Sequence, residues 1–578
     1  MPSVKGNAGA YDKLERAKER KLDPNYKWIA LSNTTLGAMM AAIDSSILII
    51  SLPAIFNGLG VNPLVSGDTS LLLWLVLGYT IISAVTVVTI GRLSDMFGRV
   101  KLYNAGFLIF TLASILLWIS TYLIGGTQGA MMLIVLRLFQ GLGGGFLIAN
   151  GAAILTDAFP ENERGMALGI NQISAIGGSL VGMLVGGVLA AIDWHLVFLV
   201  SVPVGIIGTV WAYVALKELA SPNKERKLDI YGNLAFALGV FLLIISMIYA
   251  LQPYGTSSVG WSNPIVIAGI ALGILSLVAF VIIESKVVDP MFRLWLFKIR
   301  AFAAGNISLL LSGIARGGLQ FMLIIWLQGI WLPLHGISFE QTPLRAAVDM
   351  IPLIIGFLIA GPLSGYLSDR YGARLFCTVG MIINFVGFLF LAALPVNFDM
   401  IYFEIIIFMM GVGQGMFAAP NTAAIMNSVP PQYRGVTSGM RATLMNLAQV
   451  FSITIFFSLL TLGVSTTLPT VLHSGLVAQN VSNATATQIS KLPPSAALFA
   501  ALLGYNPMKI MIPANVIDAL PAHNANVILG TMFFPTLIEN SFINGMRIVL
   551  YTGALMALVA AICSALRGKK YVYGKTDK

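Results

Sequence analysis

Fourteen long apolar segments dominate this sequence, and they restrict the chain to one fold class. A bilayer's hydrocarbon core is about 30 Å thick and needs about 20 apolar residues per helix. Segments of that length follow one another from residue 28 to residue 567. Of the 578 residues, 57% are hydrophobic and only 10% are charged, which excludes a soluble globular protein, where about 25% are charged. We therefore predict an all-α polytopic membrane protein with fourteen transmembrane helices.

A charged hairpin occurs twice between these segments. Residues 91–101 read GRLSDMFGRVK, and residues 365–374 read GYLSDRYGAR. The repetition continues in glycines spaced 270 positions apart, since Gly141, Gly143 and Gly145 recur as Gly411, Gly413 and Gly415. Such internal repetition of helix sets is typical of secondary transporters, whose binding site lies between the repeats.

The repeat divides the chain into two halves of six segments, with the seventh and eighth segments inserted between them. The predicted parts are a basic tail (1–27), an N-terminal half (28–217), a linker with two inserted helices (218–300), a C-terminal half (301–567) and a second basic tail (568–578).

The distribution of charge predicts an orientation. The formal net charge is +10, with 34 Lys and Arg against 24 Asp and Glu. Most basic residues fall on alternate connections, which is the positive-inside pattern and not a nucleic-acid-binding surface. We therefore expect both termini on the cytoplasmic side of a cell membrane and no nucleic-acid partner.

One connection, residues 463–545, is much longer than the others and rich in Ala, Pro, Asn and Thr. It contains short helical candidates, such as Ser495–Leu503, which Gly504 would end, but no uninterrupted apolar run long enough to span. We predict an external cap here, followed by a last span at 546–567.

The hairpin residues suggest a gate. Gly91 and Gly98 are expected to permit close helix approach and a tight reversal, and Asp95 can interact with a helix N-terminus or with Arg99. The second copy has Asp369, Arg370, Gly372 and Arg374, with Ala373 in place of the first arginine. The alternative interpretation is that the basic residues only fix the topology.

Four further patterns accompany the hairpin in a fixed order. They are IDSSILIISLP at 43–53, WLVLGY at 74–79, RLFQG at 137–141 and GSLVGMLVGG at 178–187. Together they resemble the fourteen-span drug:proton antiporters of the major facilitator superfamily. The sequence departs from the family pattern at Met183, where a proline is usual, and at His195, where an arginine is common.

The resemblance implies roles for several of these residues. It makes Asp157 a counter-charge for Arg99, in a contact that would close the cytoplasmic side. The glycines of the fifth segment would allow bending and close packing: Gly178, Gly182, Gly186 and Gly187. Met183 replaces a helix-bending proline and so removes one reason for a kink in the fifth segment.

Charged side chains inside the spans mark candidate transport residues. A charge at the bilayer centre costs at least about 2.5 kcal/mol on insertion scales, so Asp44 must be neutralised. Arg137 lies at a comparable depth and is its natural partner, with Gln140 three residues further on. Exchange of this ion pair for a proton or a substrate would couple the two fluxes, whereas the alternative is a purely structural pair.

The second half repeats this theme less faithfully. Arg316, Asp349 and Glu404 lie within spans 9, 10 and 12. The resemblance implies that spans 1, 4, 9 and 12 line a central cavity, so Asp44, Arg137, Arg316 and Glu404 would project from cavity helices. Arg345 and Asp349 are four residues apart and can also simply pair on one helix face.

These observations predict a proton-coupled exporter of hydrophobic, cationic or amphipathic small molecules, acting as a monomer in the lipid bilayer. It would not be an enzyme and would need no cofactor or metal, since the proton gradient drives it. Two alternatives are an exporter or uniporter of one metabolite, lipid or siderophore, and a non-transporting receptor or complex subunit that acts through residues 463–545.

Overall fold

The computed structural model describes residues 25–61, 68–160, 163–219, 229–255, 257, 259–287, 290, 292–430 and 433–568. Within these residues, fourteen helical segments are long and apolar enough to cross a membrane. The all-α polytopic prediction is confirmed.

We number the spanning helices in chain order. They are α1 Tyr26–Leu59, α2 Asp68–Phe97, α3 Arg99–Leu123, α4 Gly126–Ala158, α5 Arg164–Ile192, α6 Ser201–Ala215, α7 Ile230–Tyr249, α8 Pro264–Lys286, α9 Arg300–Trp326, α10 Ile351–Tyr371, α11 Ala373–Ala393, α12 Met400–Asn427, α13 Arg434–Ser465 and α14 Phe533–Ala565. A short helix, Thr342–Asp349, directly precedes α10. We call the end of the bundle with the two charged hairpins the hairpin end, and the end with residues 463–532 the cap end.

The sequence repeat corresponds to equivalent helix contacts in the two halves. A Cβ at Gly143 of α4 would lie 2.9 Å from the carbonyl oxygen of Gly106 in α3. A Cβ at Gly413 of α12 would lie 2.6 Å from the carbonyl oxygen of Gly380 in α11. These distances leave no room for a side chain, so the repeated glycines allow the helix backbones to touch.

The inserted helices lie beside the two halves. Helices α7 and α8 pack on each other, and the Ser276 hydroxyl donates to the Ala235 carbonyl over 2.8 Å. Helix α7 contacts both α2 and α13, and Thr89 of α2 donates to Asn233 of α7 over 2.9 Å. The inserted pair therefore contacts both halves.

Helix α5 packs on α1 through glycines spaced four residues apart. A Cβ at Gly178 would lie 2.7 Å from the carbonyl oxygen of Met39, and one at Gly182 would lie 2.5 Å from that of Ile43. Gly186 lies against Ile47 and Ile50 in the same way. Gly187 instead faces the other half, where a Cβ would lie 2.7 Å from the Cα of Leu344. All four glycines therefore lie at close approaches between helices.

Alanine at Gly182 is expected to lower stability by about 1 to 3 kcal/mol, the usual cost of overpacking, because its methyl group would clash with the α1 backbone. The matched control is Gly177→Ala, because a Cβ there would meet no atom within 4 Å. Gly177→Ala should be neutral or slightly stabilising, since alanine favours helix. Thermal unfolding in detergent measures both, and equal shifts would contradict this account of the α1–α5 contact.

The two departures from the family pattern have structural consequences. Met183 is fully buried in a continuous α5, and its Sδ accepts a hydrogen bond from Nε2 of Gln320 in α9 at 3.6 Å. At the α5–α6 connection, the Asp193 carboxylate lies 2.5 Å from Nδ1 of His195, and this hydrogen bond lowers the pKa of Asp193. Met183 thus serves as a contact between the halves.

A short helix of the cap enters the cap end of the bundle. This helix, Pro494–Leu502, is completely buried, and it is followed by Gly504 with φ +72°. Asn57 of α1 donates to the Leu503 carbonyl over 3.1 Å, while Ser495 donates to the Leu251 carbonyl over 3.4 Å. The helix predicted to end at Gly504 is confirmed, and it connects α1 with the end of α7.

The last spanning helix is longer than the sequence suggests. Helix α14 begins at Phe533, not at residue 546. Its first turns carry the polar residues Asn540, Asn544 and Arg547, which lowered the apparent hydropathy. They lie on an exposed face while Ile538 and Phe542 are buried, so an amphipathic helix continues through the polar stretch.

Candidate functional site

A buried polar cluster joins α1, α3 and α4. The Asp44 carboxylate accepts from Arg137 Nη1 and, over 2.8 Å, from Gln140 Nε2. Arg137 Nη1 also donates to Gln140 Oε1 over 2.6 Å, and Gln140 Nε2 lies 2.8 Å from the Ser114 hydroxyl. The Arg137 guanidinium lies 4.9 Å from the centre of the Tyr79 ring. The structure therefore brings together the predicted residues Asp44, Arg137 and Gln140.

Helix geometry explains this cluster. Arg137 and Gln140 are three residues apart, so they share one face of α4 opposite Asp44. Asp44, Arg137 and Gln140 are 2%, 1% and 0% exposed. Neither charge could stay in this dry environment alone, because desolvation of a single ion costs several kcal/mol. In this conformation the cluster is thus a helix contact and not part of a water-filled cavity, contrary to what the resemblance implied.

The second half has no counterpart of this cluster. The repeat relates Arg137 and Gln140 to Ile407 and Met410 of α12, and Ser114 to Phe388 of α11. Phe388 and Met410 line a central cavity. The two halves therefore share a fold but differ in chemistry: one holds the buried ion pair and the other provides apolar cavity walls.

The central cavity lies between α5 of the first half and α9–α14 of the second. Its first part is lined by side chains from both halves. Apolar lining comes from Ile176, Phe357 and Phe388. A second part extends toward the hairpin end and shares Arg316 and Gln414 with the first.

The polar lining of the cavity is basic and amide-rich. Arg316 of α9 is exposed to the cavity, and Arg441 of α13 donates to the Thr422 hydroxyl over 3.2 Å. Gln414 Nε2 lies 3.2 Å from the Ser312 hydroxyl, so this contact fixes the amide between α9 and α12. Among the predicted charged residues, the structure brings only Arg316 into the described cavity lining.

The two carboxylates predicted in the second half lie elsewhere. Asp349 is buried just before α10, and its carboxylate lies 3.2 Å from Nε of Arg345. Glu404 is half-buried near the start of α12. The predicted i,i+4 pairing of Arg345 and Asp349 is confirmed, and neither Asp349 nor Glu404 is among the residues that line the cavity.

At the hairpin end, Arg99 joins the first hairpin to α4. Its Nη1 donates to both carboxylate oxygens of Asp157 over 2.7 Å, and its Nη2 donates to Asp95 over 2.9 Å. A guanidinium shared by two carboxylates holds three helix ends in one arrangement, because α2, α3 and α4 each contribute a group. The contact implied between Arg99 and Asp157 is therefore present.

The hairpin glycines divide into two kinds. Gly98 has φ +108° and Gly372 has φ +85°, conformations that favour glycine, so both make the reversals predicted for the hairpins. A Cβ at Gly91 would meet no atom within 4 Å, so the expectation of close approach at Gly91 is wrong. Glu218 accepts from the backbone N–H of Val100 over 2.9 Å and thereby caps α3.

The second hairpin is organised differently. The Arg370 guanidinium lies 5.5 Å from the centre of the Tyr371 ring, and Arg374 is exposed. The Asp369 side chain lies outside the described residues. Ala373 occupies the position of Arg99, so the second hairpin lacks the arginine that bridges α2, α3 and α4 in the first.

Sequence reasoning missed three residues of these sites: Arg441, Gln414 and Glu218. Arg441 is close to a span end, where a basic residue is usually explained by topology. A signal existed, because Arg441, Met445 and Gln449 recur every four residues and therefore share one face of α13. Glu218 caps the N-terminus of α3, which lies far from Glu218 in the sequence. No local sequence pattern therefore indicates this contact.

A family model described as Major Facilitator Superfamily matches residues 34–327 and 308–453. Among curated relatives, Riboflavin transporter RibZ of Clostridioides difficile is 30% identical over 75% of this chain and 88% of its own length. Tetracenomycin C resistance and export protein of Streptomyces glaucescens is 25% identical, covering 92% and 90%. Multidrug transporter protein MdtP of Bacillus subtilis is 24% identical, covering 95% and 94%.

Solved structures resemble the chain in fold. A bacterial homolog of the human lysosomal transporter Spinster superposes with a TM-score of 0.53 at 15% identity, covering 95% of this chain and 98% of that one. The proton:xylose symporter XylE superposes with a TM-score of 0.51 at 16% identity, covering 85% and 97%. These proteins are transporters and not enzymes, in agreement with the sequence-based expectation.

Proposed function

Because this chain belongs to the major facilitator superfamily, we propose that it is a proton-coupled exporter of hydrophobic or amphipathic small molecules that works by alternating access. The halves would rock about the central cavity and expose it to one side of a cell membrane at a time. We further propose that both termini are cytoplasmic, that the protein acts as a monomer, and that the predicted boundaries at 217, 300 and 567 delimit its parts.

The observation that carries this proposal is the cavity between the two halves. Both halves line it, and apolar side chains alternate with a few polar groups along its wall, as in small-molecule sites. A site formed by both halves opens and closes when the halves move, which transport requires. Among the relatives, the tetracenomycin C resistance and export protein supports export as the direction, and the multidrug transporter MdtP supports drug-like substrates.

Proton coupling is proposed to reside in the cluster of Asp44, Arg137 and Gln140. Protonation of Asp44 would remove the charge that holds Arg137, and deprotonation would restore the pair. Because the pair joins α1 to α4, its formation and loss would favour different helix arrangements. Since the pair is dry in this conformation, water would reach it only in another state of the cycle.

The experiment is flux in proteoliposomes that contain the purified full chain. A panel of amphipathic anions, neutral compounds and cations is measured with and without an imposed pH gradient. Export coupled to protons predicts accumulation that depends on the gradient and collapses with a protonophore. Equal accumulation with and without the pH gradient would contradict proton coupling. The absence of flux across the whole panel would contradict the exporter proposal.

The hairpin ion pairs are proposed to hold the cytoplasmic side closed in one state. Arg99→Gln removes bonds to both Asp95 and Asp157, partly exposed pairs worth about 1 kcal/mol, which shifts the conformational equilibrium roughly fivefold. We expect a several-fold change in the initial rate of flux. The control is Arg547→Gln, an exposed arginine of α14 outside both hairpins, which should leave the rate unchanged. Equal effects would contradict the latch.

A second candidate function is transport of one specific metabolite, by export or by uniport. The riboflavin transporter of Clostridioides difficile favours it, because that relative is 30% identical to this chain and its name specifies one vitamin. Riboflavin, lipids and a siderophore therefore belong in the flux panel. Saturable transport of one compound to the exclusion of the others would favour this candidate. A receptor acting through residues 463–545 would show no flux at all.

A further inference from the structure

The charged residues that line the cavity indicate which charge its ligand carries. Arg316 and Arg441 both line the part of the cavity that extends toward the hairpin end. No carboxylate is among the residues described as lining either part of the cavity. In the first half, the Asp44 carboxylate is already bonded to Arg137 and Gln140. The cavity wall is therefore cationic.

Both arginines lie where a guanidinium needs a counter-charge. Arg441 Nη1 contacts only neutral acceptors in the described contacts, the Thr422 hydroxyl and the Met445 sulfur. Arg316 is in the middle of α9 and projects into the cavity. Two like charges that share one partly dry cavity repel each other, and an anion placed between them would remove that repulsion.

The neighbouring groups fit the rest of an anionic ligand. Gln414 and Asn446, which carry amide donors, line the same part of the cavity as the two arginines. The other part offers the aromatic and aliphatic side chains of Phe357, Phe388 and Met381. A ligand with an anionic head and an apolar body would place the head between the arginines and the body against these side chains.

We propose that the substrate is an amphipathic organic anion, such as an aromatic carboxylate, whose anionic group binds between Arg316 and Arg441. This inference deepens the proposed export function and rests on it. It narrows the hydrophobic, cationic or amphipathic substrates expected from the sequence to an amphipathic anion. It also assigns a role to Arg441, which lies close to a span end where topology alone would explain a basic residue.

The test is equilibrium binding to the purified full chain in detergent, without any gradient. The probes are a naphthyl-alkyl carboxylate, its primary amide and the trimethylammonium compound of the same chain length. We expect the carboxylate to bind at least about tenfold more tightly than the ammonium compound, because a charged hydrogen bond contributes that much. Calorimetric titration measures all three affinities.

Arg316→Gln and Arg441→Gln should each weaken carboxylate binding about tenfold and leave amide binding unchanged. Arg316→Lys and Arg441→Lys keep the charge and should retain the preference for the carboxylate, which excludes misfolding as the cause. The control is Arg547→Gln, an exposed arginine of α14 outside the cavity, which should have no effect. Tighter binding of the ammonium compound, or unchanged carboxylate binding in both glutamine variants, would overturn the proposal.

Failure of the anion site can be distinguished from failure of the proposed export function. A chain that binds the carboxylate at the two arginines but shows no gradient-driven flux would contradict proton-coupled export and support the anion site. A chain that exports cations in a gradient-dependent way, without the carboxylate preference, would support export and overturn the anion site.

Discussion

Asp44→Asn is expected to reduce gradient-driven flux to the level of empty liposomes. Asparagine has nearly the shape of aspartate but cannot exchange a proton, so the cluster loses the titratable group that would link proton entry to substrate exit. The measurement is accumulation in proteoliposomes with an imposed pH gradient, compared with downhill exchange of the same substrate without a gradient. Downhill exchange should survive, because it requires only the cavity and the movement of the halves.

The control separates coupling from folding. Asp44→Asn leaves the Arg137 charge buried, so lower stability alone could reduce flux. The double variant Asp44→Asn/Arg137→Gln has no buried charge and should recover stability, but it should still lack gradient-driven accumulation. Full gradient-driven flux in either variant would eliminate Asp44 as the coupling residue. Glu404, the half-buried carboxylate near the start of α12, would then be the next candidate.

Arg137→Gln is expected to produce the largest loss of stability, about 3 to 5 kcal/mol, because it leaves the Asp44 carboxylate buried without its cationic partner. Arg137 is 1% exposed, so bulk water does not reach this contact in the folded protein. Unfolding in a graded denaturant series, followed by tryptophan fluorescence or circular dichroism, gives the free energies for the wild type, both single variants and the double variant.

The double-mutant cycle gives the interaction free energy of the pair. Removal of both charges should lower the free energy of unfolding by much less than the sum of the two single substitutions. Replacement of a buried ion pair by uncharged groups often changes stability little. Additive losses would show that Asp44 and Arg137 do not interact in the folded protein. As a control, the exposed Arg374→Gln should stay within about 0.5 kcal/mol of the wild type, as most surface substitutions do.

The sequence determined the number, type and approximate position of the spanning helices, and it predicted the pairing of Asp44 with Arg137. Both follow from local rules. The bilayer demands a fixed length of apolar helix, and a charge inside a span demands a partner at the same depth. The last helix shows the limit of this reasoning. The first 13 residues of α14 were not predicted as part of the helix, because they are amphipathic and hydropathy averages over both faces.

Only the tertiary structure decided which charges face the cavity. Asp44 and Arg316 look alike in sequence, since each is an isolated charge in an apolar helix. The structure buries Asp44 between α1, α3 and α4, whereas Arg316 and the unpredicted Arg441 line the central cavity. The physical reason is that a side chain's solvent access depends on the rotation and packing of whole helices. That packing is set by contacts between residues far apart in the chain, such as Gly182 with Ile43.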